Sequence, residues 1–209
     1  MINVLLISFT ISLLYLAIAN RLLTYIKVIA LQGLILFGVA FIELQEINLI
    51  NLILILLETI IFKTIAVPIF LKRVIDRNKI SREAEPYVPN FISLIVVTLI
   101  IVITFLLSNS IQDSHLKKIY FVVALSSLFS GLYIIVTRKK IITHVMGYLV
   151  IENGVFILSL AVGSEMPMMV NLGIMLDIFV SVFLLGIFIN KVGDVVKDVD
   201  VDQLRSLKD

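Results

Sequence analysis

Apolar residues run through this chain in seven blocks, at about residues 2–20, 22–42, 49–71, 91–111, 118–137, 141–163 and 168–190. Each block is near the ~20 residues that a helix needs to cross the hydrocarbon core of a bilayer. Polar residues fall mostly between the blocks. The pattern predicts an all-α integral membrane protein with seven transmembrane helices. The first block, "MINVLLISFTISLLYLAIANR", lacks a basic leading region and is long enough to span, so it reads as a helix and not as a cleavable signal peptide. Connections are short except for "KRVIDRNKISREAEPYVPN" (72–90), where Pro86 and Pro89 help to end any regular structure.

Composition agrees with a membrane location. The chain is 60% hydrophobic and 15% charged, with a mean hydropathy of +1.14, whereas soluble domains carry about a quarter charged residues. The net charge of +2 does not point to nucleic acid, because the basic residues sit between hydrophobic blocks. With no cysteine, disulfides, iron–sulfur clusters and thiolate metal sites are excluded. His115 and His144 fall on different segments and make a poor metal constellation. No phosphate loop, nucleophile–base set or metal-ligand cluster occurs, so the chain is expected to hold no cofactor and to catalyse no covalent reaction by itself.

Lys and Arg set the expected orientation. The 1–2 junction carries Arg21, the 72–90 loop carries Lys72, Arg73, Arg77, Lys79 and Arg82, and the 5–6 turn carries Arg138, Lys139 and Lys140. The tail adds Lys191, Lys197, Arg205 and Lys208. The opposite side has only Lys117 and Lys118, together with the acidic "ELQEIN" (43–48) and "GSEMP" (163–167). The N-terminus is therefore expected outside and the C-terminus in the cytoplasm.

The third and seventh blocks echo each other. "LLETIIFKTIAVPIFLK" (56–72) and "MLDIFVSVFLLGIFINK" (175–191) each place an acid, Glu58 or Asp177, fourteen residues before a terminal Lys. Gln32 and Glu152 correspond at nearly the same offset, 120 against 119. Helices 1–3 and 5–7 then read either as a parallel three-helix repeat with the fourth as linker, or as a coincidence between two Leu/Ile-rich segments.

Five charged residues fall inside the spans away from their first positions: Lys27, Glu58, Lys63, Glu152 and Asp177. Lys27 is close enough to a helix end for its stem to snorkel to the headgroups. Glu152 lies ~18 Å along the helix from Lys140 and Asp177 ~21 Å from Lys191, near or slightly beyond mid-depth. A charged acid there costs on the order of 2.5–3.5 kcal/mol. Two readings stand: an ion path through the three acids, or neutral carboxylic acids serving as interhelical glue. Lys63 follows Glu58 by five residues, ~140° around an α-helix, so its counter-charge is expected from another helix, from Glu152 or Asp177. His144, two turns before Glu152, reads as a structural hydrogen-bonded histidine or as a proton carrier through water. Gly147 and Gly154 share one face and predict close helix packing, with Asn153 bonding across that contact. Pro68 predicts a kink in the third helix.

The final third adds a resemblance. "TRKKIITHVMGYLVIENGVFIL" (137–158) and "NLGIMLDIFVSVFLLGIFINKV" (171–192) resemble the three-helix K-type subunit of respiratory complex I and its relatives, the C subunit of Mrp antiporters and the hydrogenase-4 component E family. The shared features are a basic turn, a helix with Gly, an acid and Asn, and then a helix with a mid-span acid. The polar tail "DVDVDQLRSLKD" looks similar as well. Seven helices fit the hydrogenase-4 component E group best; the close resemblance covers roughly 118–209. It divides the chain into an N-terminal module of four helices (1–111), a K-type module (112–192) and a cytoplasmic tail (193–209).

The resemblance implies a non-catalytic, multi-pass cell-membrane subunit of a hydrogenase-4 or formate-hydrogenlyase-type assembly. Its partners would be antiporter-like membrane subunits and a hydrogenase-type peripheral arm. Glu58, Lys63, Glu152 and Asp177, with His144, are its candidate proton-path residues. Asp177 matches the second family acid, with Asp in place of the usual Glu. At the first, Leu149 stands where the K-type Glu would be, and Glu152 lies one turn later on the same face. The alternatives are a subunit of a multi-subunit cation/proton antiporter and a structural membrane spacer.

Overall fold

The computed structural model describes residues 1–43, 53, 55–77, 84, 86–111 and 116–162. Their regular structure is helical: α1 (Ile2–Ile18), α2 (Leu22–Glu43), a π-helical segment (Leu56–Ala66) that continues into α3 (Val67–Arg77), α4 (Asn90–Ser110), α5 (Lys118–Thr137) and α6 (Ile141–Val162). The one extended pairing among them is an isolated bridge between Pro86 and Arg138. Helices α2, α4, α5 and α6 are 20 to 22 residues long and apolar enough to cross a membrane. α1 is shorter, with 17 residues. The predicted seventh span, 168–190, lies outside the described residues.

The helix ends are local in origin. The chain leaves α1 through Ala19 in an extended conformation and leaves α5 through Arg138 in the same way. Pro89, with no N–H to donate and φ fixed, stands just before α4. The third predicted block needs correction at its C-terminal end. The helix does not stop at residue 71 but continues to Arg77, which shortens the loop expected over 72–90. Hydropathy falls there, yet Val67, Leu71, Val74 and Ile75 bury one face while Lys72, Arg73 and Asp76 stay exposed. A stripe at this spacing holds a helix against a neighbour without an all-apolar sequence.

Packing is tightest between α5 and α6, as the glycines predict. A Cβ on Gly147 would stand 2.9 Å from the Gly131 carbonyl oxygen, and one on Gly131 would stand 2.7 Å from that of Gly147. Gly154 meets the Ala124 carbonyl oxygen at 2.9 Å in the same sense. Backbone therefore lies on backbone along this seam, which only glycine allows.

The bundle is apolar outside, and its largely apolar core encloses a set of polar side chains. α4 exposes Phe91, Leu99, Ile103, Phe105 and Leu106, while Gln32, Glu58, Lys63, Glu152 and Asn153 are buried. Its two ends differ in charge. At one end the Ala84 N–H donates to Asn20 O (2.8 Å) and the Tyr87 N–H to Thr137 O (2.8 Å), and Lys139 lies over the Tyr87 ring. The 1–2 junction, the chain before α4 and the 5–6 turn thus meet there. At the other end the Lys117 N–H donates to Ala161 O (3.1 Å), and the Lys117 ammonium pairs with Glu43.

Arg138 departs from a simple headgroup charge. It is 1% exposed, donates from Nη2 to Ala17 O at 2.8 Å, and lies over the Tyr25 ring. The cation therefore ties the 5–6 turn to the ends of α1 and α2.

Candidate functional site

Three charged side chains from two elements meet inside the bundle. Lys63 Nζ lies 3.7 Å from Glu58 Oε1 and 3.6 Å from Glu152 Oε1. All three are 5% exposed or less. The ammonium also sits 5.1 Å from the centroid of the Phe156 ring, within cation–π range. Phe156 follows Glu152 by one turn of α6, so both groups approach Lys63 from one face.

The Lys63–Glu152 pairing follows the sequence expectation, since the counter-charge comes from another helix. The separation of Lys63 from Glu58 is corrected. On an α-helix these residues would point ~140° apart, but Leu56–Ala66 is π-helical. The Val67 N–H reaches Phe62 O, five residues back, and Thr64 Oγ1 donates to Thr59 O over the same interval, at 2.8 Å. An i→i+5 ladder stacks residues five apart on one face, which puts Glu58 beside Lys63. Pro68, predicted to kink this helix, follows the junction between the π-helical and α-helical parts. It has no N–H for the carbonyl four residues earlier, and its ring would crowd that carbonyl in a regular α-helix. Wider turns before it relieve the conflict.

A second polar chain crosses the bundle beside the first. Asn153 Nδ2 donates to Gln32 Oε1 at 3.0 Å, Gln32 Nε2 donates to Ser12 Oγ at 2.8 Å, and Ser12 donates to Phe9 O at 2.5 Å. Asn153 therefore does not bond across the α5–α6 glycine seam, as expected, but to α2. The seam leaves no room for an amide, and α6 presents Asn153 away from it. In the sequence Gln32 stood out as the counterpart of Glu152 in the candidate repeat, and not as a partner of Asn153. Gly33 beside it carried no signal, because its need for space comes wholly from the neighbouring segment.

His144 Nε2 lies 2.8 Å from Arg138 O, a local hydrogen bond at the start of α6. Lys27 is exposed, near the start of α2. Asp177 lies outside the described residues. Among the described residues no group of three or more His, Cys, Asp or Glu side chains is gathered as a metal site requires.

Chemically, two carboxylates and one ammonium sum to a single negative charge. Uptake of one proton brings the cluster to neutrality, so it has two charge states one proton apart. Removing the ammonium would leave two buried carboxylates without a compensating cation.

Comparison with known proteins adds one distant relative. Over 189 residues the chain is 23% identical to a protein of Mycobacterium tuberculosis (strain ATCC 25618 / H37Rv) described as "Uncharacterized protein Rv0085", covering 88% of this chain and 85% of that protein. No family model matches the chain, and no solved structure matches it.

Proposed function

We propose that this chain is a non-catalytic membrane subunit of a complex-I-like proton-translocating assembly of the hydrogenase-4 or formate-hydrogenlyase type. Its Glu58–Lys63–Glu152 cluster is one station of the proton path, and Asp177 is a further station. The observation that carries this reading is Lys63 held at 3.6 and 3.7 Å between carboxylates from two elements, away from solvent. Ionisable groups inside an apolar bundle are costly and usually mark an ion route. A cluster with two charge states separated by one proton has what a relay needs. Purely structural glue would need no ammonium between two acids, since a carboxylic acid alone can bond across helices.

The membrane setting of this proposal rests on the apolar exterior, the polar groups kept inside it and the four helices of spanning length. The end that gathers the 1–2 junction, the chain before α4 and the 5–6 turn faces the cytoplasm in this reading, following the bias of Lys and Arg. A reporter fused after Asp209 is expected to read as cytoplasmic; an extracytoplasmic signal overturns the orientation.

The function is tested with Glu152→Gln and Asp177→Asn in the assembled complex reconstituted into vesicles. Proton uptake is followed with a pH-sensitive dye, and assembly is checked on native gels. Each variant is expected to assemble and to lower proton translocation by about tenfold or more, the scale at which a positioned proton carrier contributes. Normal assembly with undiminished translocation in both would remove the proton-path reading.

A further inference from the structure

We propose that the Gln32–Gly33 dipeptide of α2 is the positioning element that sets the contact between Lys63 and Glu152. Two independent observations meet at these adjacent residues. Gln32, fully buried, accepts from Asn153, the residue next to Glu152 on α6. The same amide is anchored on its other side to Ser12 of α1. It therefore holds α6, in rotation and in depth, at the turn that carries Glu152.

Gly33 receives the other partner. A Cβ there would lie 2.7 Å from Thr64 Oγ1, 3.0 Å from Lys63 Cβ and 3.1 Å from the Lys63 carbonyl carbon. The π-helical segment thus rests on bare α2 backbone at the residue that bears the ammonium. One position seats the cation's segment and its neighbour fixes the anion's helix, only ~1.5 Å apart along α2. Little error can build up between them. An ion pair between separate elements needs such support to keep its spacing. The π-helical segment places Lys63 against Glu152, with Glu58 on the other side of the ammonium. On the neighbouring positions of α6, α2 presents the neutral Gln32 to Asn153, and α5 presents the Ser127 hydroxyl to the Val150 carbonyl.

The geometry stands without the proton-path reading and depends on it only for its consequence, which is control of a relay station. The test uses the full chain in lipid nanodiscs and reads the carboxyl infrared bands, with the Glu152 band assigned by its loss in Glu152→Gln. Lys63→Met calibrates the shift caused by losing the pair. Gly33→Ala and the double variant Gln32→Leu/Asn153→Leu are expected to shift the Glu152 band in the same sense as Lys63→Met. The double variant removes both partners of one hydrogen bond and so leaves neither amide unpaired. Its thermal stability should stay near wild type while the band shift persists, which separates positioning from mere support.

A Glu152 band at the wild-type position in both variants overturns the positioning role. The proton-path reading fails or stands separately, on vesicle translocation. Shifted bands with translocation undiminished in Glu152→Gln keep the positioning role and remove the relay. Unshifted bands with translocation lost do the reverse.

Discussion

Lys63→Met is expected to destabilise the folded chain by about 3–5 kcal/mol, the usual cost of removing one partner from a buried ion pair. Denaturant unfolding of the detergent-solubilised chain measures it. Methionine keeps most of the apolar stem that lies against Phe156, so the loss isolates the charge. Glu58 and Glu152 would then face each other, buried, without a cation between them. The triple variant Lys63→Met/Glu58→Gln/Glu152→Gln removes every charge of the cluster and is expected to recover most of the loss, because well-packed neutral side chains replace a buried ionic group at little cost. A Lys63→Met chain as stable as wild type would mean that the ammonium compensates neither acid. Recovery of stability in the triple variant with loss of proton translocation would show that the charges are kept for transport and not for folding.

The second large effect is expected at the α5–α6 seam. Gly131→Ala should cost about 1–3 kcal/mol, the range for overpacking a filled interior. The added methyl would meet the Gly147 carbonyl oxygen at 2.7 Å, the Ile151 amide nitrogen at 2.9 Å and Ile151 Cγ1 at 2.6 Å. Two of these are backbone atoms that cannot move without parting the helices. Gly38→Ala is the matched control. Its methyl meets the end of one flexible side chain, Leu5 Cδ1 at 3.1 Å, and should change stability by under ~0.5 kcal/mol. Thermal unfolding of the two variants side by side distinguishes backbone contact from generic helix crowding. Equal melting temperatures would overturn the close-seam description.

Much of the helical scaffold is legible in the order of residues. The blocks at 22–42, 91–111, 118–137 and 141–163 meet α2, α4, α5 and α6 within a residue at each end. The reason is local: a long apolar segment satisfies its backbone hydrogen bonds within itself, and polar or extended residues mark where it stops. Glu152 stands out as an acid in an apolar run, and Lys63 as a cation needing a partner from elsewhere. Both features depend only on residue type and position.

Other features could not be read in the same way. The side chain five residues from Glu58 points away in one helical form and beside it in another, and nothing in "LLETIIFKTIA" chooses between them by hydropathy. Arg138 looks like any residue of a basic turn, yet it is buried because α1 ends and α2 begins around it. The helix beyond residue 71 is held by the side on which Leu71, Val74 and Ile75 find neighbours, and not by average hydropathy.

Helix placement and the supply of buried polar groups thus belong to the chain order, since each helix forms from contacts a few residues apart. The partners those groups meet belong to the tertiary structure alone. Asn153 reaches Gln32 across 121 residues, and Lys63 reaches Glu152 at 3.6 Å. Both pairings are set by how α2, α6 and the π-helical segment pack, with Gly33 and the α5–α6 glycines permitting the approach. Hydrophobicity brings apolar helices into a bilayer without specifying a rotation; steric fit and the need to pair each buried polar group specify it.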